Sequence, residues 1–353
     1  MDKIIGAFIF PGVWQKWRQD DAQKIFGSLS EFGINSIFTE SESYRDDLIE
    51  LAHKMDLRWF GGISCFSDHI RNNQVLIDRP ELWPINEDGE RRHKMEWYLG
   101  IIPTFEDYNA SRVKLAEQIV TNYDLDGFFF NFVRCPIHWE LELRPKALKP
   151  LQSSFDPHTI VRFQKEQHVE LPDNLSDTCT VANWILNNHR NDWVNFRCQI
   201  ITDFVLKATK CIRDARGLDF KIGLYTLPLP PDDIFDIAGQ NIFELASIVD
   251  LILPMCYHAI MHQPAIWVSK TLTDLSSALP NKVLPVVQVD SAEGVEAGVD
   301  WGPPVPPEEW SQITQIVVKE TDLRGLIAFT GTSLFRDGRG EQLASVLKTD
   351  KIK

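Results

Sequence analysis

The sequence has no C-x-x-C pair, no long apolar run and no excess of basic residues. Its six cysteines are irregularly spaced, so neither a structural zinc site nor a dithiol redox motif has support. No segment approaches the roughly 20 apolar residues of a membrane span. The chain carries 50 acidic and 36 basic residues, for a formal net charge of −14. This balance argues against nucleic acid or an anionic membrane surface as a partner.

Two further absences concern location and domain organisation. The first ten residues are apolar for only a short stretch and lack a basic n-region and a small-residue cleavage site, which is typical of a first strand rather than a signal peptide. We therefore expect a cytoplasmic protein with reduced cysteines. Because no internal repeat, low-complexity tract or linker divides the 353 residues, we expect one domain over 1–353.

Short β-rich apolar runs alternate with longer helical patterns in a chain that is 44% hydrophobic. The alternation is typical of βαβ units and a parallel sheet. The predicted strands are Lys3–Phe10, Ile34–Thr39, Arg58–Phe66, Gly127–Val133, Phe220–Leu227, Leu251–Cys256, Lys282–Val289 and Leu326–Phe329. The predicted helices are Asp20–Phe32, Tyr44–Met55, Glu106–Tyr123, Asn191–Arg216, Ile242–Ile248, Ala265–Leu279, Pro307–Thr321 and Gly340–Leu347. Eight such units predict an α/β fold, the (β/α)8 TIM barrel.

The surplus length of the chain falls in two insertions, 67–104 after the third strand and 135–190 after the fourth. Both follow the carboxyl ends of strands, where the active sites of such barrels are built. Loops of this length are uncommon unless they are functional or disordered. Since these two are rich in Trp, Pro and His, we expect ordered walls or lids over a site.

Several carboxylates follow the ends of the predicted strands. Glycoside cleavage usually needs two carboxyl groups across the scissile bond, one as the acid and one as the nucleophile or base. The candidates are Glu40, Glu42, Asp68, Glu140 and Asp290. Asp290 and Glu40 rank first because they lie closest to strand ends, and Glu140 is third. The competing interpretation is that an acidic barrel simply carries solvated carboxylates on its loops.

Aromatic and amide side chains at the same strand ends suit a sugar, which needs flat apolar surfaces and many hydrogen bonds. The candidates for substrate binding are Trp14, Asn131, Arg134, Tyr225, Tyr257, His258 and Gln288. Each of the aromatic residues also has a packing interpretation, and Arg134 has one as a buried ion-pair partner. The predicted ligand is a small molecule or an oligosaccharide.

Metal and phosphate sites have weaker support. His258 and His262 are four residues apart, but no third ligand is evident and no H-x-H pattern ends the first strand. We therefore expect no metal and no cofactor. The segment Gly331–Ser333 follows the eighth strand, where barrels often bind phosphate, but three residues are a weak signal.

The stretch Tyr123–Pro136, which reads YDLDGFFFNFVRCP, resembles the fourth-strand motif of a family of uncharacterised glycoside-hydrolase-like TIM barrels. That family is distantly related to the α-L-fucosidase and α-amylase barrels. Further agreement in chain order comes from Arg79–Trp83 with Asp88-Gly89, from Pro103-Thr104 with Tyr108, from Phe155–Phe163, from Trp193–Arg197 and from Asp250–Tyr257. The resemblance implies a barrel that acts on carbohydrate.

One departure from the family pattern falls at Asn131, where the family has Asp and where the related barrels hold the catalytic nucleophile. An amide is a poor nucleophile and cannot be a carboxylate base. Another carboxylate has then taken the role, or the substrate supplies its own nucleophile, or hydrolysis is lost. The sequence therefore predicts a glycoside hydrolase, with a degenerate sugar-binding barrel or a non-glycosidic barrel enzyme as alternatives. It does not indicate the sugar or the oligomeric state.

Overall fold

Eight parallel strands close into a barrel in the computed structural model, which describes residues 3–68, 74–93, 98–145, 147, 150–291, 300–320 and 322–350. Each strand pairs with the next along the chain, and the first pairs with the last. The strands are β1 (Ile4–Phe8), β2 (Ser36–Phe38), β3 (Arg58–Ser64), β4 (Gly127–Asn131), β5 (Lys221–Thr226), β6 (Leu251–Cys256), β7 (Val286–Gln288) and β8 (Gly325–Phe329). The predicted (β/α)8 fold is confirmed.

Helices follow the strands; the longer ones outside the two insertions form the outer layer of the barrel, and the others lie in the loops at the strand ends. They are α1 (Pro11–Trp14), α2 (Gln19–Glu31), α3 (Asp46–Lys54), α4 (Gln74–Asp78), α5 (Glu106–Asn122), α6 (Trp139–Glu142), α7 (Pro157–Gln167), α8 (Thr178–Asn188), α9 (Arg190–Arg216), α10 (Pro231–Asp233), α11 (Ile242–Ile248), α12 (Ile266–Ala278), α13 (Pro307–Lys319) and α14 (Arg339–Asp350). Short 3₁₀ turns cover Pro80–Leu82 and Gly331–Phe335, and a π-turn covers Ile234–Ala238. Within the described residues, no helix is both long enough and apolar enough for a membrane span.

Strand β4 shows why a nearly all-apolar run forms a central strand. Its side chains alternate, so Phe129 meets the ring of Tyr225 at 5.0 Å inside the barrel, while Phe130 packs against Phe204 of α9 at 6.2 Å. Both faces of the strand are therefore buried. A Cβ at Gly62 of β3 would collide with the ring of Phe129, so glycine there makes room for it. The same alternation turns Asn131, two residues after Phe129, toward the mouth of the barrel.

The insertion after β4 has a small apolar core of its own, which the sequence did not reveal as helical. Its helices α7 and α8 pack on the start of α9, where Trp193 stacks on Phe155 with ring centroids 4.5 Å apart. The carboxylate of Asp177 accepts from the backbone N–H of Thr180 and caps α8. This packing fixes the segment beside the strand ends.

Candidate active site

A pocket of about 740 Å³, the open space at its mouth included, lies at the carboxyl ends of the strands. It is lined by Phe8, Phe10, Pro11, Glu40, Tyr98, Asn131, Phe132, Arg134, Glu140, Tyr225, Met255, Tyr257, Ile260, Trp301 and Phe329. Most of these residues end a strand or follow one directly, which places the pocket on the catalytic face of the fold.

Glu40 and Asn131 meet at one side of this pocket. Glu40 lies two residues beyond β2, and the amide Nδ2 of Asn131 donates to its Oε2 at 2.5 Å. The Oδ1 atom of Asn131 accepts from the backbone N–H of Phe132 at 2.8 Å, and this bond orients the amide so that its NH2 group points at the carboxyl group. Asn131 therefore holds Glu40 in place as a hydrogen-bond donor.

The carboxyl group of Glu40 is buried, and burial raises its pKa to about 7. Desolvation disfavours the charged form, whereas the Asn131 hydrogen bond and the charges of Arg112 and Arg134 act in the opposite direction. A carboxyl group with a pKa near neutrality exchanges its proton readily at physiological pH, which suits acid–base chemistry.

Glu140 supplies the second carboxyl group of the pocket, from the one-turn helix α6. Burial raises its pKa to about 7 as well, opposed by the charge of Arg134. The hydroxyl of Tyr98 donates to Oε2 of Glu140 at 2.8 Å. Because burial also keeps the pKa of Tyr98 well above its ordinary value, that hydroxyl remains a donor at neutral pH.

Arg134 lies buried beside both carboxyl groups, and its charge lowers the pKa of Glu40 and of Glu140. Its guanidinium stacks over the ring of Phe132, 4.8 Å from the centroid. Phe132 itself has a left-handed backbone with φ of 49°, an uncommon conformation for a bulky residue. Strain of this kind gathers at functional sites, and here it sets the ring beneath the arginine.

The opposite wall of the pocket is aromatic. Tyr257 stacks on Phe329 with centroids 4.3 Å apart and planes 15° apart, and Trp301 lies against the same phenylalanine at 5.6 Å. Tyr225 lines the pocket with its hydroxyl buried, and no partner for that hydroxyl is found among the described residues. The pocket thus joins a flat apolar wall to a polar wall of carboxyl, amide and guanidinium groups.

Two residues predicted from the seventh strand lie outside the pocket lining. Asp290 forms an ion pair with the buried Arg339 at 3.0 Å and accepts from the backbone N–H groups of Ser291 and Val305. Gln288 is fully buried and accepts from the backbone N–H of Ile260 at 3.1 Å. Both side chains brace the loops around the site.

Two other predicted binding residues are also buried elsewhere. Trp14 is stacked on Tyr44 behind the first strands, with centroids 5.7 Å apart. His258 faces a separate cavity and lies 3.1 Å from the carboxylate of Glu309, and burial lowers its pKa to about 4. His258 is therefore neutral near pH 7.

The remaining candidates have structural partners. Glu42 forms an ion pair with Arg112 at 2.7 Å, and Asp68 accepts from the backbone N–H of Leu76 at 3.1 Å. The predicted phosphate segment Gly331–Ser333 lies in a 3₁₀ turn, and its hydroxyl groups contact the hydroxyl of Thr330 at 3.1 and 3.0 Å. Across the described ranges, no group of three or more His, Cys, Asp or Glu residues is arranged to hold a metal ion.

Among the pocket residues that the sequence analysis did not predict, two come from irregular loops. Tyr98 comes from the insertion 67–104, and Trp301 comes from the loop after β7. Neither lies on a periodic element, so no spacing rule indicates that it turns inward. The richness of the insertion in aromatic residues was the one available signal for Tyr98.

Comparison with known proteins supports the fold. No family model and no curated protein matches the chain. Among solved structures, the PgaB glycoside hydrolase domain from Bordetella bronchiseptica aligns with a TM-score of 0.67 and 10% identity over 98% of each chain. The catalytic domain of β-amylase from Paenibacillus polymyxa aligns with a TM-score of 0.69 and 10% identity, over 100% of this chain and 99% of that one. A chitinase from Chromobacterium violaceum gives 0.53 and 9% identity over 99% of each chain. The chain shares the (β/α)8 barrel fold of these structures.

Proposed function

We propose that the protein hydrolyses glycosidic bonds, with Glu40 and Glu140 as the catalytic carboxyl pair. The observation that carries the proposal is that two buried carboxyl groups, each with a pKa of about 7, line one pocket at the catalytic face of the barrel. Glycoside cleavage usually requires such a pair, one group protonated and the other ionised. The fold of the structural neighbours agrees with this chemistry.

The surroundings of the two groups suggest different roles. Each group accepts one side-chain hydrogen bond and has one further carboxylate nearby, but Glu40 is near two guanidinium groups, whereas Glu140 is near one. The ionised form is therefore better supported at Glu40. We assign Glu40 as the nucleophile or base and Glu140 as the acid that protonates the leaving oxygen.

This assignment gives a role to Asn131, the unusual residue at the end of the fourth strand. Asn131 occupies the position where the resembling family has Asp, and it donates to Glu40. The carboxylate that follows β2, two strands away in the barrel, then takes the role of the missing one. Asp290, whose side chain is engaged by Arg339, is assigned a structural role instead.

The aromatic wall supports a carbohydrate as the substrate. A sugar ring has one apolar face of C–H groups and an edge of hydroxyl groups. Tyr257, Phe329 and Trp301 offer a surface for the first, and the opposite wall offers hydrogen-bonding partners for the second.

The direct test is turnover of a panel of aryl glycosides whose leaving groups differ in acidity. Glu140→Gln should lose about 10²–10⁴-fold on poor leaving groups. It should lose much less on dinitrophenyl glycosides, because these leave without protonation. Glu40→Gln should lose activity on all of them. The exposed Glu117→Gln, a matched change outside the pocket, should be unaffected. Equal losses for Glu140→Gln across the panel would contradict the acid role.

A second candidate is a barrel that binds sugars without cleaving them, and Asn131 in place of the family's Asp favours it. Calorimetry on the same panel distinguishes the two. Saturable binding without any turnover by the wild-type protein would support the binding barrel and overturn the hydrolase.

A further inference from the structure

One arginine links several loops at the rim of the pocket. Arg144, just after α6, donates from Nε to the carbonyl of Ile260 at 2.8 Å. Its other nitrogens donate to the carboxylate of Asp300 at 2.5 Å and to the Asp300 carbonyl at 3.0 Å. Arg144 thereby links the loop after β4 to the loops after β6 and β7, past the loop of β5 between them.

Two further contacts link parts of the rim that the structure describes. The hydroxyl oxygen of Tyr98 lies 2.9 Å from the carbonyl oxygen of Ile137, which brings the insertion 67–104 against the loop after β4. Trp301 packs its ring against Phe10 at 6.1 Å, which joins the loop after β7 to the loop after β1. A channel that admits a polysaccharide lengthwise needs a gap on two opposite sides of the rim. These contacts close the described rim on several sides.

The charges within the pocket balance when one carboxyl group is protonated. Arg134 is the one cation among the described residues that line it, and Glu40 and Glu140 are the carboxyl groups. With Glu140 protonated and Glu40 ionised, the guanidinium and the carboxylate cancel. A substrate that brought its own carboxylate would find no second cation among the described lining residues, and burying an unpaired charge is costly.

A buried hydroxyl marks the inner part of the pocket. Tyr225 is 2% exposed, and its hydroxyl has no partner among the described residues. Burial holds its pKa well above the ordinary value, so it remains a donor. A buried donor left unsatisfied is unfavourable, and a ligand oxygen in the pocket would satisfy it.

From these features we infer that the pocket takes one uncharged sugar residue from the end of a chain. The protein is then an exo-acting enzyme that releases monosaccharides, and Tyr225 recognises a hydroxyl group of the bound residue. The inference rests on the proposed function, since it identifies the substrate class of the same pocket.

The test uses linear hexasaccharides of glucose, galactose, mannose, xylose and N-acetylglucosamine, each labelled at the reducing end, together with oligogalacturonate. Products are resolved at early times. The expected result is a free monosaccharide and a labelled pentasaccharide as the first products of a neutral chain, with no cleavage of the oligogalacturonate. Early release of disaccharides or longer pieces would overturn the inference and leave the hydrolase intact. Cleavage of the oligogalacturonate at a comparable rate would overturn the requirement for a neutral substrate.

A separate outcome addresses the proposed function. If no chain and no aryl glycoside is cleaved, the hydrolase is overturned, and calorimetry then tests the pocket alone. A monosaccharide that binds as tightly as its hexasaccharide supports a pocket for one residue. A hexasaccharide that binds about tenfold more tightly or more would contradict it.

Tyr225→Phe tests the proposed recognition of a hydroxyl group. On the best aryl glycoside, kcat/KM should fall by about tenfold. On the one deoxy analogue that lacks the recognised hydroxyl, the same variant should cost nothing further. Equal losses on every deoxy analogue would show that Tyr225 only shapes the pocket.

The rim is tested by Arg144→Ala. The products of this variant should include oligosaccharides longer than a monosaccharide. An unchanged product mixture from a folded variant would exclude the rim as the cause of exo action.

Discussion

The amide Nδ2 of Asn131 donates a hydrogen bond of 2.5 Å to Oε2 of Glu40. The two residues lie on neighbouring parts of the barrel mouth, at the end of β4 and just beyond β2. The buried carboxyl group of Glu40 therefore has a hydrogen-bond donor at position 131, where an Asp carboxylate would repel it.

The first prediction concerns Asn131→Asp. A new carboxylate next to Glu40 repels its charge, removes the donor and raises the pKa of Glu40 further. We expect kcat/KM at pH 7 to fall by at least about tenfold, with a shift of the acidic limb of the profile to higher pH. Steady-state kinetics of the two proteins on one aryl glycoside measure this. A gain in activity would instead indicate that position 131 is the site of a lost nucleophile.

The second prediction is a bell-shaped dependence of kcat/KM on pH with its maximum near 7. Activity falls at lower pH because Glu40 becomes protonated, and it falls at higher pH because Glu140 loses its proton. The two apparent pKa values belong to the coupled pair. Glu140→Gln should remove the alkaline limb in its residual activity. A maximum near pH 4 would be incompatible with the raised pKa values.

The third prediction is a gain of stability in Glu140→Gln at alkaline pH. The ordinary pKa of the group is 4.5, and burial raises it to about 7, so between these values the folded protein holds a proton that the unfolded chain releases. Stability from this group is present below pH 4.5 and is lost as the pH rises through 7. At pH 8 the variant should be more stable by about 1–3 kcal/mol. Urea unfolding at pH 4.5 and 8 measures this; an equal change at both pH values would contradict the buried ionisation.

The fourth prediction separates the two carboxylates that contact Arg339. Asp290→Asn leaves a buried guanidinium without its buried partner and should cost about 3–5 kcal/mol of unfolding free energy. Asp337, which pairs with the same arginine at 2.6 Å, has a side chain that is 68% exposed. Asp337→Asn is thus the matched control and should cost less than about 1 kcal/mol. Similar costs for both variants would show that the ion pair with Asp290 has no special structural role.

The fold was predictable because strand and helix periods differ and both are visible in this sequence. The all-apolar run around Phe128–Phe130 indicates a strand buried on both faces, and the structure has such a strand. The first and last residues of the strands were less predictable. The seventh strand was expected over Lys282–Val289 and covers Val286–Gln288. Helices α7 and α8 were missed because they pack on α9 through a core of their own.

The site was predictable only in part. Glu40, Asn131, Arg134, Tyr225 and Tyr257 follow or end strands, and all of them line the pocket with Glu140. Other residues from strand ends turn away because a distant partner holds them. One example is the carboxylate of residue 290, which is held by an arginine 49 positions along the chain. A partner this far along the chain cannot be identified from the sequence alone. The same holds for aromatic residues of irregular loops, because no periodic pattern indicates that their side chains turn into the pocket.

In the proposed mechanism Glu40, and not Asp290, is the ionised catalytic carboxylate. The two residues are compared by measuring kcat/KM of Glu40→Gln and Asp290→Asn on one aryl glycoside at pH 7, corrected for the folded fraction of each variant. We expect a loss of about 10²–10⁴-fold for Glu40→Gln and a change of only a few-fold for Asp290→Asn. The reverse order, with Asp290→Asn inactive and Glu40→Gln active, would contradict this mechanism.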